Sequence, residues 1–314
     1  MRVRPLVALS AAAVSLLALA GCSSPGGDDA SPTPTSAAAD LCDVAVGSGA
    51  ASDSIQVSGE VGQAPTVSFT APLDVTELES TIVTQGTGDA ITSGDFINYA
   101  VSAYDVTTGQ PVDAAGYESE QILPQQISAE SVLGQVLGCA PIGTRVAATF
   151  PASDQSAAAV YVIDLLSITP TAAWGADQEP VAGLPEVTLD EDGAPNITIP
   201  ETDAPTEVQL ATLKKGDGAE VLTGDTVLVQ YTGVKWSDGS VFDSSWENGA
   251  PVSFATTQVV DGFRQALEGQ TVGSQVVVVV PPAFGYGASE GNELQDETLV
   301  FVVDILATQH PIAG

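Results

Sequence analysis

The sequence predicts an α+β protein made of two similar copies, each a curved antiparallel β-sheet wrapped on a short α-helix. Three observations predict this fold: an internal repeat, short runs of β-branched residues bounded by turn residues, and a short helix with one apolar face. The chain has 314 residues. Because a single core seldom grows beyond about 250 residues, we expect two cores of modest size.

The internal repeat appears when the chain is compared with itself at a shift of 130 residues. Its matched positions include three pairs of turn glycines: Gly94 with Gly224, Gly109 with Gly239, and Gly143 with Gly273. After Pro151 the shift becomes 140, because the run Tyr161 to Leu166 matches Phe301 to Leu306. A gap-free register that keeps turn glycines predicts the same fold for both copies, with a shorter segment after Pro151 in the first copy.

Strands are predicted in the second copy at Thr226 to Val234, Gln275 to Val280 and Leu299 to Leu306, where β-branched residues dominate. Between the first two of these, the stretch Asp261 to Glu268 predicts a short helix. Phe263 and Leu267 stand four residues apart on one face of that helix, and Gly269 follows as a helix-ending residue. One such helix is expected in each copy.

The first residues predict export. Arg2 and Arg4 precede an apolar run that is too short for a membrane-spanning helix and is typical of a signal peptide, residues 1–21. The run ends in Leu-Ala-Gly-Cys22, which resembles the bacterial lipobox and implies acylation of Cys22 and anchoring at the extracytoplasmic face of the cell membrane. The alternative is an ordinary signal peptide in which Cys22 is incidental. Residues 22–44 lack apolar periodicity and predict a disordered tether.

The residue inventory excludes several functions. Lys and Arg number 7 and Asp and Glu 40, a net charge of −33, so nucleic acid is not an expected partner. The one histidine, His310, is expected to be a solvated side chain; this leaves no catalytic triad and no metal site, and no cofactor is predicted. Besides Cys22, only Cys42 and Cys139 remain. Because both are exported, we expect a disulfide between them; two lone buried thiols are the alternative.

Six segments of the second copy carry a resemblance to a known family. They are, in order, Leu213 to Gly218, Val229 to Gly233, Asp238 to Ser245, Val272 to Ser274, Phe284 to Gly287 and Thr298 to Phe301. Together they resemble the peptidyl-prolyl cis-trans isomerases of the FK506-binding-protein (FKBP) type. The resemblance implies an FKBP-type isomerase domain at residues 187–314, preceded by a linker at residues 171–186.

The resemblance also implies a shallow apolar pocket in the second copy. The implied catalytic set is Tyr231, Phe242, Asp243, Phe263, Tyr286 and Phe301, and the implied substrate-binding set is Val259, Val260 and Leu294. Phe263 would form the pocket floor and Asp243 would organise its polar rim. Tyr286 and the Val260 N–H would donate hydrogen bonds to the substrate. Plain core packing of the aromatic residues is the alternative interpretation.

The first copy, residues 45–170, is predicted to be a degenerate domain of the same type. It keeps Asp113, but Val101, Val112 and Leu133 stand where the second copy has Tyr231, Phe242 and Phe263. It also lacks the segment that contains Phe284 to Gly287. We therefore expect the first copy to keep the scaffold without the pocket and to serve for packing or for holding client chains.

The function that the resemblance implies is isomerisation of X-Pro bonds in exported proteins as they fold, inside a water-poor aromatic pocket. The implied ligands are proline-containing segments of such proteins and a macrolide of the FK506 class. A rival interpretation is a noncatalytic holdase or adhesin lipoprotein with the same fold. A solute-binding lipoprotein would need a larger, two-lobed cleft. The aromatic set of the second copy favours the isomerase.

Overall fold

The computed structural model describes residues 40–118 and 121–311. The predicted signal peptide, Cys22 and most of the predicted tether lie outside the described residues. The described helices are α1 (Leu41–Val44), α2 (Ala50–Asp53), α3 (Val132–Leu137) and α4 (Asp261–Leu267), with 3-10 turns at Thr256–Gln258 and Pro282–Phe284. None of these helices is long and apolar enough to cross a membrane.

Seventeen strands are described, eight in the first copy and nine in the second. The first eight are β1 (Gln56–Ser58), β2 (Thr66–Ser68), β3 (Glu79–Thr84), β4 (Phe96–Asp105), β5 (Pro111–Ala115), β6 (Gln125–Gln126), β7 (Arg145–Phe150) and β8 (Ala159–Thr169). The others are β9 (Ala176–Asp177), β10 (Glu186–Leu189), β11 (Pro195–Thr198), β12 (Gln209–Lys215), β13 (Thr226–Lys235), β14 (Val241–Ser244), β15 (Val252–Ala255), β16 (Gln275–Val280) and β17 (Leu299–Gln309).

Two larger sheets, both antiparallel, have the same strand order. The first runs β5-β4-β8-β7-β3, with β6 also paired to β4. The second runs β14-β13-β17-β16-β12, with β15 also paired to β13 and β9 added at the β12 edge. The internal repeat therefore corresponds to a repeat of strand connectivity, with one short helix, α3 or α4, after the equivalent strands.

The strands and the helix predicted in the second copy are confirmed, with small shifts at their ends. β16 has the predicted bounds, β13 is one residue longer, and β17 continues to Gln309. α4 ends at Leu267, one residue before the predicted end. Gly269 follows with a left-handed backbone, φ +82°, as expected of a residue that ends a helix.

The two copies share a turn glycine with the same backbone conformation. Gly143 and Gly273 precede β7 and β16, and both have left-handed backbones, with φ of +90° and +91°. The Gly143 N–H donates to the Leu165 carbonyl at 2.9 Å, and the Gly273 N–H donates to the Ile305 carbonyl at 2.7 Å. Since other residues adopt this conformation at a cost, the same turn requires glycine in both copies.

The second sheet is covered on both faces. On one face, α4 buries Phe263 and Leu267, the two residues predicted as its apolar side. On the other face, the β10–β11 hairpin packs Val187 and Ile197 onto the sheet. A strand covered on both faces has no polar side, which explains the uninterrupted valines of β16.

The N-terminal part of the first copy corrects the end of the predicted tether. Leu41 of α1 is 1% exposed in the first core, where it contacts α3. Cys42 is joined to Cys139 by a disulfide. Residues 40–44 of the predicted tether 22–44 are therefore part of the folded first copy. The sequence did not indicate this because a four-residue helix has no apolar periodicity and its anchoring contacts are distant along the chain.

Residues 171–186, predicted as a linker, pack on the second copy. The Ala173 N–H donates to Oδ2 of Asp304 at 2.8 Å. The Trp174 ring lies against Gly273, and β9 pairs with β12. The linker was the segment left before the domain that the resemblance implies, whereas the contacts that order it are made with residues far along the chain. The second copy therefore begins before residue 187.

A small apolar cluster joins the two copies. Phe96 of β4, 6% exposed, packs with Leu228 and Leu306 of the second sheet. In addition, Nε2 of Gln309 donates a hydrogen bond to the Gln121 carbonyl at 2.7 Å. Both the cluster and the hydrogen bond involve β17 or β13, so they tie the first copy directly to the central strands of the second sheet.

His310 is not the solvated side chain that the sequence predicted. Its Nδ1 lies 2.9 Å from both carboxylate oxygens of Asp225. Asp225 is fully buried and also accepts a hydrogen bond from the Thr308 hydroxyl. The histidine ring therefore fixes the end of β17 beside the turn that precedes β13.

Candidate active site

The second copy contains a cavity of about 260 Å³, which we call the aromatic cavity. Its lining residues are Tyr231, Phe242, Asp243, Phe254, Gln258, Val259, Val260, Phe263, Tyr286 and Phe301. Six of these carry aromatic rings, and Asp243 is the one charged member of the lining. The cavity therefore offers an apolar wall with a single carboxylate, an arrangement suited to a compact apolar group next to a polar backbone.

The sheet brings the rings together around a glycine. Gly233 of β13 stands opposite Phe301 on β17 and opposite Asp243 on β14. A Cβ at position 233 would lie 2.6 Å from the Phe242 ring and 2.9 Å from the Phe301 ring. Because glycine has no side chain, both rings can close over the strand at this point. A larger residue at position 233 would displace the cavity wall.

Phe301 lies at the centre of the ring contacts. Its ring centroid is 5.0 Å from that of Phe263 and 5.5 Å from that of Phe242, both in edge-to-face geometry. Phe254 adds edge-to-face contacts with Tyr231 at 5.8 Å and with Phe263 at 5.9 Å. Such pairs contribute about 0.5–1.5 kcal/mol each beyond their area burial, so the rings stabilise one another's positions.

Tyr231 and Asp243, two of the predicted site residues, form the polar edge of the cavity and are joined by a hydrogen bond. The Tyr231 hydroxyl donates to Oδ2 of Asp243 at 2.5 Å. Burial raises the pKa of Tyr231 above its usual value, and the hydrogen bond to the Asp243 carboxylate raises it further. Tyr231 is therefore protonated at physiological pH and orients the carboxylate of Asp243, which is exposed.

Two other lining residues stand at the ends of short helical elements. Val260 is the residue before α4 and has an extended backbone, with φ −62° and ψ 150°. Tyr286 follows the 3-10 turn Pro282–Phe284, and the Gly287 N–H closes that turn by donating to the Pro282 carbonyl at 2.8 Å. These are the two residues to which the resemblance assigns hydrogen-bond donors, and both line the aromatic cavity.

Eight of the nine predicted pocket residues line the aromatic cavity, and Leu294 does not. Leu294 is half-buried against the core beside the cavity. The sequence did not indicate Phe254 and Gln258, which also line it. Phe254 could have been found from the alternation Val-Ser-Phe in residues 252–254, since β15 pairs with β13 and places Phe254 opposite Val227. Gln258, in the 3-10 turn Thr256–Gln258, has no such signal.

Within residues 40–118 and 121–311, no group of three His, Cys, Asp or Glu side chains is placed to hold a metal ion. The aromatic cavity contributes Asp243 alone to such a set.

Comparison with known proteins bears directly on the second copy. A family model described as FKBP-type peptidyl-prolyl cis-trans isomerase matches residues 218–306. The FK506-binding protein of Streptomyces anulatus is 35% identical over 118 residues, which cover 36% of this chain and 95% of that protein. The chain belongs to the FKBP family. It is thus an enzyme, an FKBP-type peptidyl-prolyl cis-trans isomerase, and the noncatalytic alternative is not favoured.

Two further relatives agree with the FKBP assignment. A probable FK506-binding protein of Corynebacterium glutamicum is 33% identical over 114 residues, 36% of this chain and 97% of that protein. The outer membrane protein MIP of Legionella longbeachae is 36% identical over 107 residues, 33% of this chain and 46% of that protein. All residues that line the aromatic cavity fall within the matched residues 218–306.

The first copy lies outside the residues matched by the FKBP model, so its FKBP-like character stays a prediction. The first copy was expected to lack the aromatic pocket of the second copy, and Val101 and Leu133 stand at two positions of that pocket. The first copy contains a cavity of about 390 Å³, which we call the Tyr161 cavity. Its lining residues are Tyr99, Val101, Gln125, Ser131, Val132, Leu133, Val136, Phe150, Tyr161 and Ile163. Asp113 and Val112, the counterparts of Asp243 and Phe242, do not line it.

Proposed function

We propose that the FKBP domain isomerises X-Pro bonds of exported proteins in the aromatic cavity, while Cys22 anchors the chain by acyl groups at the extracytoplasmic face of the membrane. The observation that carries the catalytic part is the set of six aromatic rings around a cavity whose one carboxylate is held by Tyr231. The same apolar cavity would also take a macrolide of the FK506 class.

The reaction needs no nucleophile, because rotation about an X-Pro bond only requires the loss of amide resonance. The barrier in water is about 18–20 kcal/mol. The planar amide has more charge separation than the twisted amide, so a water-poor cavity stabilises the planar form less than water does. A cavity that binds the proline ring by apolar contact therefore favours the twisted transition state over the ground state.

Individual residues have distinct proposed roles. Phe263 and Phe301 supply the apolar surface that binds the proline ring and excludes water. The Tyr286 hydroxyl and the Val260 N–H donate hydrogen bonds to carbonyls of the substrate. Such hydrogen bonds contribute more in a desolvated site than in water. Asp243, held by Tyr231, organises the polar rim. These roles match the places that the residues occupy around the cavity.

Two features support export and anchoring. The disulfide between Cys42 and Cys139 is the kind of bond expected outside the reducing cytoplasm. The sequence Leu-Ala-Gly-Cys22 after an apolar run is typical of an acylation site, and durable anchoring requires two or more acyl chains. The relative from Legionella longbeachae is named an outer membrane protein.

The catalytic proposal is tested by a matched pair of neighbouring substitutions on β14. Phe242 lines the aromatic cavity, whereas Val241 is 45% exposed and does not. Isomerisation of a blocked Ala-Leu-Pro-Phe peptide is measured by line-shape NMR for Phe242→Ser and Val241→Ser. We expect kcat/KM to fall about tenfold or more in Phe242→Ser and to stay near the wild-type value in Val241→Ser. Equal activities would refute the role of the cavity.

The anchoring proposal is tested by fractionation of cells that produce the Cys22→Ala chain. The wild-type chain should sediment with membranes and label with a fatty-acid analogue, and the Cys22→Ala chain should do neither. A Cys22→Ala chain that still sediments with membranes after its signal is removed would show that the lipoprotein interpretation is wrong, and it would leave the catalytic proposal untouched.

A further inference from the structure

The Tyr161 cavity of the first copy stands where the repeat would place the aromatic cavity. Val101, Leu133 and Tyr161 line it, and their counterparts in the repeat are Tyr231, Phe263 and Phe301, which line the aromatic cavity. The two cavities therefore lie at equivalent positions between the central strands and the short helix. Their side chains differ, but the position in the fold is the same.

The Tyr161 cavity has an aromatic wall of its own, in which Tyr161 stands at the position of Phe301 and Phe150 stands at a position without a ring in the second copy. The Phe150 and Tyr161 rings meet edge to face with centroids 4.9 Å apart. The counterpart of Phe150 is Val280, which is fully buried beneath the segment that contains Gly285. That segment is shorter in the first copy, so the end of β7 is uncovered, and a large half-buried ring stands there instead of a buried valine.

The chemistry of the lining indicates which ligands fit. None of the ten lining side chains is charged, although the whole chain has a net charge of −33. The Tyr99 hydroxyl donates to Oε1 of Gln125 at 3.2 Å, and burial raises the pKa of Tyr99, so this edge stays neutral and polar. At about 390 Å³ the cavity is large enough for a proline ring and its neighbouring residue.

We infer that the Tyr161 cavity is a second peptide-binding site, which holds an extended, proline-containing segment of an unfolded chain with basic residues on either side. Proline-rich segments dock on aromatic grooves because their extended conformation costs little entropy to bind. The uncharged cavity accepts the apolar residues, and the net negative charge of the chain attracts the basic flanks. This inference does not depend on which residues of the second copy catalyse isomerisation.

The site binds without catalysing, because the groups of the polar edge are missing. Val101 stands in place of Tyr231, and Asp113 does not line the cavity. Phe96 joins the first copy to the second sheet, so a client held in the Tyr161 cavity is tethered to the domain that contains the aromatic cavity. Holding one segment raises the effective concentration of other proline bonds in the same client at the catalytic site.

The inference is tested with the mature chain and a blocked peptide, Lys-Ala-Leu-Pro-Phe-Lys. Backbone amide NMR signals report each cavity separately: Val132 and Leu133 for the first copy, Val260 and Phe263 for the second. We expect saturable shifts at both sites. Val132 and Ile82 form a matched pair, since both are 51% exposed in the first copy but only Val132 lines the cavity.

Val132→Asp should weaken binding at the first-copy site about tenfold, because a carboxylate at the cavity mouth must be desolvated. Ile82→Asp should leave that dissociation constant unchanged. The inference is overturned if the Val132 and Leu133 signals show no saturable shift, or if the two variants bind alike. It is also overturned if the peptide binds only when Pro32→Ala and Pro34→Ala are introduced, because the chain's own N-terminal segment would then be the occupant.

Discussion

The hydroxyl of Tyr231 donates a hydrogen bond of 2.5 Å to Oδ2 of Asp243, and this contact joins β13 to β14 at the edge of the aromatic cavity. The partners differ in exposure: Tyr231 is 7% exposed, whereas Asp243 lies at the surface. A buried phenol thus sets the direction of a surface carboxylate. The first copy has Val101 at the tyrosine position, and there Asp113 does not line the Tyr161 cavity.

The energetic coupling of this pair can be measured with a double-mutant cycle of Tyr231→Phe and Asp243→Asn. Each single change should lower the free energy of unfolding, and the coupling between them should be about 0.5–1.5 kcal/mol, at the lower end because Asp243 is exposed. Urea unfolding of the four proteins gives the value. Purely additive effects would show that the hydrogen bond does not stabilise the cavity edge.

Removal of the Tyr286 hydroxyl should affect catalysis more than folding. Tyr286→Phe keeps the half-buried ring and deletes a donor proposed to bind the substrate. A hydrogen bond of about 0.5–1.5 kcal/mol corresponds to a fall in kcat/KM of roughly 2- to 13-fold. The thermal midpoint should barely change. If kcat/KM equals that of the wild type, the Tyr286 hydroxyl makes no bond in the transition state.

Asp304 should make stability depend on pH. Burial raises the pKa of Asp304, although hydrogen bonds from Ala173 and Gln275 oppose the shift. Because the folded chain binds this proton more tightly, the stabilisation is fully present below the unfolded pKa of about 3.9 and is lost as pH rises through the folded pKa. The wild type therefore loses stability as Asp304 deprotonates, and Asp304→Asn cannot lose it in this way. The stability of the variant relative to wild type should rise from pH 4 to pH 7.

The matched control for Asp304 is its counterpart in the first copy. Asp164 forms a buried ion pair with Arg145 at 2.5 Å, whereas Asp304 faces Gln275. Asp164→Asn should destabilise the chain at pH 7 by about 3–5 kcal/mol, since it leaves a buried guanidinium without its partner. Urea midpoints at pH 4 and pH 7 check both variants. If the free energy of unfolding differs between Asp304→Asn and wild type by the same amount at pH 4 and pH 7, the raised pKa of Asp304 is contradicted.

Loss of the disulfide between Cys42 and Cys139 should destabilise the first copy. The bonded residues are 97 apart in sequence, and closing a loop of that length contributes about 4–5 kcal/mol on the chain-entropy model. Cys42→Ser with Cys139→Ser should therefore lower the thermal midpoint markedly. Alkylation of the unfolded, unreduced mature chain is the direct check: labelling at both cysteines would exclude the bond.

The sequence predicted the parts of the fold that depend on local pattern. The valine run of β16, the apolar spacing of Phe263 and Leu267 on α4, and the turn glycine Gly273 each carry a signal within a few residues. The wall of the aromatic cavity was predicted through the resemblance to the FKBP family, whose motifs stand in order along the second copy. Leu294 was placed in the pocket by the same resemblance, but it packs beside the cavity.

The features that the sequence did not predict depend on contacts between distant residues. Leu41 is ordered by the first core, Ala173 by Asp304, and His310 by Asp225. The sequence did not indicate the Tyr161 cavity, because the rings of Tyr99 and Phe150 stand at positions that carry no ring in the second copy. These two rings become part of a wall only when the sheet is formed.

The central claim is that isomerase activity resides in the aromatic cavity, and the most direct measurement compares two buried phenylalanines. Phe301 is 5% exposed and lies at the centre of the cavity rings, whereas Phe96 is 6% exposed in the cluster between the copies. Phe301→Leu and Phe96→Leu remove the same ring at similar burial, so their effects on stability should be comparable. With both variants folded by circular dichroism, kcat/KM for the Ala-Leu-Pro-Phe peptide should fall at least about tenfold in Phe301→Leu only. Equal kcat/KM values in the two variants would contradict the claim.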